Sequence, residues 1–221
     1  MPIAVVTGAN SGIGHAFAKL LIDEPISPPR APSRLRLRNP QPRRHLSHVH
    51  HNLQIRPRPP PHRPPQHRGS HVSTPKDAIE TVTPQTLEHT FAVNSYGPLL
   101  LTQALLPYLL LAKEPKVAVM SSRMGSIADN GSGGQYAYRG SNAAVNAVFK
   151  SLAVDLKGKG VAVVLLHPGI VKTNLTAGGE GLGSQAVEAD EAAGDLWRVL
   201  QVKGMKESGR WWHRSGEELP W

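Results

Sequence analysis

Two hydroxyls and one side-chain amide stand where they could act on a reacting oxygen. Tyr138 opens a long helical pattern, Asn142 follows it, and Ser122 comes just after the apolar run that ends at Met120. Residues four apart on a helix share a face, so Tyr138 and Asn142 project together. A tyrosine hydroxyl can give a proton to an oxygen that is gaining negative charge, and a serine beside it can hold that oxygen. Adding a hydride to a carbonyl makes this demand. A second set lies near the N-terminus, where Thr7-Gly8-Ala9-Asn10-Ser11-Gly12-Ile13-Gly14 follows the apolar run Ile3-Ala4-Val5-Val6. Gly8, Gly12 and Gly14 permit a tight turn, close backbone approach to a pyrophosphate, and close packing of helix on strand. The helix beginning there offers backbone donors and a positive dipole end to the phosphate.

The elements that must position these groups are readable from periodicity. Residues 2 to 6 predict a buried strand, and Ile13 to Asp23 a helix with Ile13, Phe17, Leu20 and Leu21 on one face. Thr83-Pro84 opens a second helix, proline in its first turn, that runs through Leu87, Phe91, Asn94, Pro98 and Leu101 to about Leu111. Lys116 to Met120 predicts a strand and Ser121 to Gly134 a loop. Tyr138 to Lys157 predicts a long helix packing through Ala143, Ala144, Ala147, Val148 and Leu152, ended by Gly158 and Gly160. Val161 to Leu166 predicts an apolar strand leading into His167-Pro168-Gly169. A helix at about Ala186 to Val202 and a strand at Arg210 to His213 follow. Strands alternating with helices imply an α/β fold with a parallel sheet.

The 221 residues suit one domain with a sizeable core. There is no cysteine, which excludes disulfides, thiolate chemistry and cysteine-zinc sites. No apolar run reaches membrane-spanning length and no signal-peptide pattern opens the chain, so a cytoplasmic protein without a membrane partner is expected. The net charge of +9 is local. Residues 25 to 68 hold ten arginines, no lysine and no acid, leaving 15 basic and 16 acidic residues elsewhere. The same stretch holds 12 of the 20 prolines and six of the 11 histidines. It has no helical or strand period, and only Val49 to Ile55 suggests a weak strand.

Together the motifs resemble the short-chain dehydrogenase/reductase family. Thr-Gly-x-x-x-Gly-Ile-Gly at 7 to 14, Asn94 in Val93-Asn94-Ser95-Tyr96-Gly97-Pro98, the pair Ser121-Ser122, Tyr138, and Pro168-Gly169-Ile170-Val171-Lys172-Thr173 carry the resemblance. The C-factor-like subgroup is suggested by Ser-Ser-Arg-Met-Gly-Ser-Ile at 121 to 127 and by Ser208-Gly209-Arg210 with Glu218 to Trp221. The likeness covers residues 1 to about 24 and about 69 to 221. It implies a Rossmann-like, doubly wound parallel sheet and carbonyl–alcohol interconversion with NAD or NADP. It casts Asn94, Ser122, Tyr138 and the residue at 142 as the catalytic set. Gly8, Asn10, Ser11, Gly12, Ile13 and Gly14 would hold the cofactor, as would Pro168, Gly169, Ile170 and Thr173. A small carbonyl or alcohol substrate, and a homodimer or homotetramer built through the helices at Asn94 and Tyr138, are implied as well. No metal is implied.

Two departures temper these expectations. The family's lysine at position 142 holds the ribose and lowers the tyrosine pKa, whereas Asn142 carries no charge. Tyr136 cannot substitute for Tyr138, since its partner four residues on is Gly140. The second departure is the stretch 25 to 68, where the family places its second and third strands, and a fourth ending in Asn-Asn-Ala-Gly where His67-Arg68-Gly69-Ser70 stands. These strands read as missing or degraded, and the acid that would choose between the two cofactors is not legible. Three readings of the stretch stay open: a frame-shifted or intron-derived segment, a disordered basic arm for an acidic partner, or a histidine-rich metal site. The arm lacks the aromatics that stack on bases, which disfavours nucleic acid. The histidines lack a rigid frame and nearby acids, which disfavours metal. The expected protein is a single domain over residues 1 to 221, interrupted at 25 to 68, with impaired activity and marginal stability. Its alternative is a non-catalytic cofactor-binding pseudoenzyme or a basic-arm nucleic-acid binder.

Overall fold

The computed structural model describes residues 4–23, 77–173 and 184–221, all within one compact unit. The elements in chain order are α1 (Gly12–Asp23), α2 (Pro84–Phe91), α3 (Gly97–Leu109), β1 (Lys116–Met120), α4 (Tyr136–Lys157), β2 (Ala162–His167), α5 (Ala189–Val202) and β3 (Arg210–His213). The strands form a parallel sheet in the order β1-β2-β3. Val119 pairs with Leu165 and Leu165 with Trp211, so β2 is central among the described strands. Each parallel connection needs a crossover, and α4 and α5 supply the two.

The sheet is covered on both faces, which is why β2 reads as an unbroken apolar run. Val163 and Leu165 face α4, where Val145, Phe149, Ala153 and Leu156 pack with Val117, Val119 and Trp211. Val164 and Leu166 face the opposite layer, built from Ala16 and Phe17 of α1, Ala193, Leu196 and Val199 of α5, and Trp212. Each fully buried valine or leucine contributes roughly 1.5–3 kcal/mol through lost apolar exposure. The parallel sheet with helices on both faces is the doubly wound arrangement anticipated from the sequence.

Several expectations need correction. Residues 4–6 form no strand, and residues 1–3 of that predicted strand lie outside the described residues. Val6 packs against the α1–α5 layer instead, but no described strand lies beside it to complete a ladder. The predicted helix from Pro84 to Leu111 is broken by a π-helical turn at Ala92–Tyr96. There the Gly97 N–H bonds the Ala92 carbonyl, five residues back. Pro98 lacks an N–H and cannot give the Asn94 carbonyl its usual helical bond, which favours a change of pitch at this point. Helix α4 begins at Tyr136, and its buried side is Ala137, Ser141, Asn142, Val145, Asn146, Phe149, Ala153 and Leu156. The alanine face expected from the sequence is only half-buried, and Ala147 is exposed. Ser141 and Asn142 take inward positions and bond the Tyr138 carbonyl there. The stretch 25 to 68, including the weak strand at Val49 to Ile55, lies outside the described residues.

The β2 strand is buried on both faces and central among the described strands. Leu165→Ala removes a fully buried side chain between α4 and β3. The expected loss is about 2–5 kcal/mol. Chemical denaturation of the variant and the parent chain checks it; equal midpoints would contradict the packing described.

Candidate functional site

The site is assembled where β1 and β2 end. The Ser121 N–H bonds the Leu166 carbonyl at 2.7 Å, so the chain leaves both strands at the same edge of the sheet. In open α/β sheets this carboxyl edge is where ligands bind. After β1 the chain makes a 3₁₀ turn at Arg123–Gly125, capped by Ser122, whose Oγ accepts the Met124 N–H at 3.3 Å. The turn lies directly on α4. A Cβ on Gly125 would stand 2.7 Å from the Asn142 Cβ and carbonyl carbon, so only glycine permits the approach.

This seating brings Ser122, Tyr138 and Asn142 together. The side chains of Ser122 and Asn142 hydrogen-bond the Tyr138 hydroxyl. Burial pushes the Tyr138 pKa above its ordinary value, and the two hydrogen bonds only partly offset that. The phenol therefore holds its proton at neutral pH. The Asn142 amide nitrogen also donates to the Tyr138 carbonyl at 2.9 Å. Asn142 is thus folded back onto its own helix.

Asn94 joins the group from the π-helical turn. Its amide nitrogen donates to Ser141 Oγ at 3.0 Å, and that hydroxyl donates to the Tyr138 carbonyl at 3.0 Å. Ser95 Oγ donates to the Ser141 carbonyl at 2.8 Å. A Cβ on Gly140 would stand 3.1 Å from the Phe91 ring, another close approach between α2 and α4. Arg139 fastens the loop through bonds to the Met124 and Gly133 carbonyls, each at 3.2 Å, and to Ser132 Oγ at 2.7 Å. The sequence reading missed Ser95, Gly125, Arg139 and Ser141. Adjacency to Asn94, Ser122 and Tyr138 was the only signal available for them.

The glycine turn forms a second cluster. Gly8 and Gly12 adopt φ of 68° and 55°, a region that favours glycine. A Cβ on Gly14 would lie 2.5 Å from the Gly8 carbonyl oxygen. The turn is therefore closed tightly at the start of α1, with Asn10 exposed and Ser11 and Ile13 half-buried. His15 Nδ1 lies 3.1 Å from the Ala9 carbonyl. Thr173 reaches this turn: a Cβ on Gly12 would touch its Cγ2 at 3.3 Å. Between Thr173 and β2, Pro168 is half-buried, Gly169 has φ of 74°, and Ile170 is exposed. The helix N-terminus, the glycine cradle and the adjoining threonine fit a pyrophosphate with its attached ring.

Below Ser122 lies a histidine pair that the sequence reading did not assign. The Arg123 N–H donates to His167 Nδ1 at 3.3 Å, and the His167 and His213 rings are 5.5 Å apart. Burial, then the charges of His213 and Arg123, hold the His167 pKa down to about 4. Arg123 and Arg214 are themselves paired, with Asp129 and Asp195 respectively. Among the described residues no group of histidines and acids could hold a metal ion, and no helix is long and apolar enough to cross a membrane. The basic stretch, with the nucleic-acid and metal readings attached to it, lies outside the described residues.

A parallel sheet covered on both faces, with a glycine turn opening α1 and hydroxyls gathered at its carboxyl edge, defines a Rossmann-like α/β domain. The family model described as short chain dehydrogenase matches residues 70–185. The chain is 39% identical over 144 residues to the C-signal protein of Myxococcus xanthus, covering 65% of this chain and 84% of that one. It is 37% identical over 145 residues to 1-hydroxy-2-glutathionyl-2-methyl-3-butene dehydrogenase of Rhodococcus sp. strain AD45, covering 66% and 63%. The structure is similar to NADPH-bound carbonyl reductase from chicken fatty liver, with a TM-score of 0.63 and 29% identity over 69% of this chain and 64% of the reductase. The chain belongs to the short-chain dehydrogenase family and is similar to its C-factor type. It spans less than two thirds of the Rhodococcus dehydrogenase and of the chicken reductase.

The histidine pair makes stability depend on pH. The His167 value in the folded chain lies below its ordinary 6.5, so the unfolded chain takes up the proton first. Stability is therefore whole above about pH 6.5 and falls as pH drops towards about 4, by at most about 3 kcal/mol from this group. The shift of His213 is downward too and acts in the same sense. Urea midpoints at about pH 7.5 and about pH 5 should differ in the parent and differ by less in His167→Gln, where His213 alone remains. The same pH dependence in both proteins would refute the assignment.

Proposed function

We propose that the chain is an NAD(P)-dependent oxidoreductase interconverting a small carbonyl and an alcohol, working far below the level of a lysine-bearing relative. The observation that carries this reading is the Tyr138 hydroxyl, held between Ser122 and Asn142 with its proton retained by burial. In reduction Tyr138 gives its proton to the carbonyl oxygen, Ser122 steadies that oxygen, and Asn94 supports the helix backbone behind them. Gly8, Asn10, Ser11, Gly12, Ile13 and Gly14 would hold the pyrophosphate and its sugar. Pro168, Gly169, Ile170 and Thr173 would close on the other end. A bound nicotinamide supplies the hydride in reduction and accepts it in oxidation. The NADPH-bound chicken relative supports a nicotinamide cofactor. The residues in which the family chooses between NAD and NADP fall within residues 25 to 68, outside the described residues.

Asn142 is the expected source of weakness. A lysine ammonium beside the phenol would stabilise the phenolate, which asparagine does only through one hydrogen bond. Oxidation needs the phenolate, and with a pKa above about 10 its fraction at pH 8 is below about 1%. Alcohol oxidation should therefore rise about tenfold per pH unit between about pH 7 and about pH 9, with no plateau. Asn142→Lys should raise carbonyl reduction, by up to roughly 10²–10⁴, and move the oxidation profile to lower pH. Tyr138→Phe should abolish both reactions. Purified protein assayed by NADH and NADPH absorbance tests this. No gain in Asn142→Lys would sink the account of the defect, and turnover surviving in Tyr138→Phe would sink the function.

Self-association through α3 and α4 is part of the same reading. Leu100 and Tyr108 are 53% and 72% exposed, and a cavity of about 250 Å³ lies between Leu99, Leu106 and Leu152. Leu100→Lys should lower the mass measured by sedimentation equilibrium; an unchanged mass would place any interface elsewhere.

A further inference from the structure

Helix α4 begins without a side-chain cap of its own. Gln135, at its N-cap position, has φ of 51° and makes no side-chain bond to the first turn. The first N–H groups of any helix lack carbonyl partners within it and need acceptors from elsewhere. Here the acceptor comes from a residue 60 positions upstream. Asp77 Oδ1 accepts the Ala137 N–H at 2.8 Å, and Oδ2 accepts the Tyr138 N–H at 3.0 Å. Asp77 is fully buried. A buried carboxylate is tolerated where donors meet its oxygens, and the positive end of a helix favours it further. Neither of its oxygens is turned to solvent, and both serve the turn that carries Tyr138.

We propose that Asp77 is the positioning residue for Tyr138, its carboxylate clamping the first turn of α4 so that the phenol stays against Ser122 and Asn142. The proposal rests on Tyr138 being the proton donor. The bond to the amide of Tyr138 itself gives Asp77 direct control of that residue's backbone. From the backbone the ring extends to Ser122, so a small rotation of the first turn moves the hydroxyl out of reach. A misplacement of about 1 Å at a reacting group can cost about 10²-fold in rate. The contact of Gly125 with Asn142 lies one turn further along and leaves the first amides unsupported. Asp77 therefore fixes the end of the helix that Gly125 does not reach.

The test compares Asp77→Ala and Asp77→Asn with the parent in the full chain. Asn retains one acceptor oxygen, whereas Ala leaves both N–H groups without a partner. The turnover number should fall about 10²-fold in Asp77→Ala and by less in Asp77→Asn, with the KM for cofactor little changed. A second readout needs no turnover. The ultraviolet titration of Tyr138, taken as the difference from the same protein carrying Tyr138→Phe, should move down towards the ordinary tyrosine range in Asp77→Ala as water enters the first turn. An aspartate that only adds global stability would lower the melting temperature and leave this titration in place. If Asp77→Ala fails to fold, the smaller shift in Asp77→Asn decides. Folded variants with the parent's titration would overturn the positioning role. Absence of turnover in both the parent and Asn142→Lys would overturn the proton-donor reading instead, while the titration still reports on the clamp.

Discussion

Parallel pairing of β1 with β2 is the interaction on which the remaining structure depends. It brings two chain segments to one edge of the sheet in register, Met120 beside Leu166, and the Ser121 N–H extends the ladder by one bond. Ser121 therefore lies beside His167, with Ser122 next along the chain. A parallel pair cannot be joined by a hairpin, so α4 must carry the chain back along the sheet before β2 begins. That crossover places the start of α4, and Tyr138 with it, at the same edge. Serine and tyrosine come together because the sheet is parallel and the helix spans its length. The apolar contacts of Val145, Phe149 and Ala153 with β1 and β2 hold that geometry.

The local chemistry of the site was legible in the sequence because it rests on short-range rules. Glycines 8, 12 and 14 lie where backbone geometry and close approach demand them, and Ser122 and Tyr138 sit at the ends of strongly patterned elements. What could not be read depends on distant partners. Nothing near Asp77 marks it as a cap for α4, since capping rules describe residues beside the helix and this carboxylate arrives from far upstream. The inward face of α4 was misjudged for a related reason. Alanine and valine score as core by hydrophobicity, but Ser141 and Asn142 are buried because they bond Tyr138 and the π-helical turn. That turn was itself hinted at by Pro98, yet periodicity alone continues a helix through it. The strand expected before the glycine turn shows the same limit from the other side. Its apolar run is correct for a strand, but a strand exists only against a neighbour.

The electrostatics of the site follow from burial more than from charge. Tyr138 is bonded to Ser122 and Asn142, both able to stabilise a phenolate, yet desolvation outweighs them and the pKa rises. His167 and His213 are shifted the other way by the same cause, so they too stay neutral. Arg123 and Arg214 are paired with Asp129 and Asp195. The +9 of the whole chain is accounted for by residues 25 to 68.

Asparagine at 142 fills a buried position without a charge, where the family's lysine would bring one. The position is buried beneath the Ser122 turn, with Gly125 packed on its backbone. An ammonium there would lose its hydration and need several kcal/mol of compensation from nearby anions or a bound ligand. Within the described residues no acid is bonded to this position. The asparagine amide bonds the Tyr138 carbonyl and its hydroxyl, and so satisfies the pocket without a counter-charge. The substitution thus favours the unliganded fold while removing the group that would help Tyr138 ionise. On the function proposed above, stability and catalysis pull in opposite directions at this residue. The geometry of the Ser122–Tyr138 pair rests on glycine contacts, strand register and the Asp77 bonds to the first turn of α4, and not on a charge at position 142.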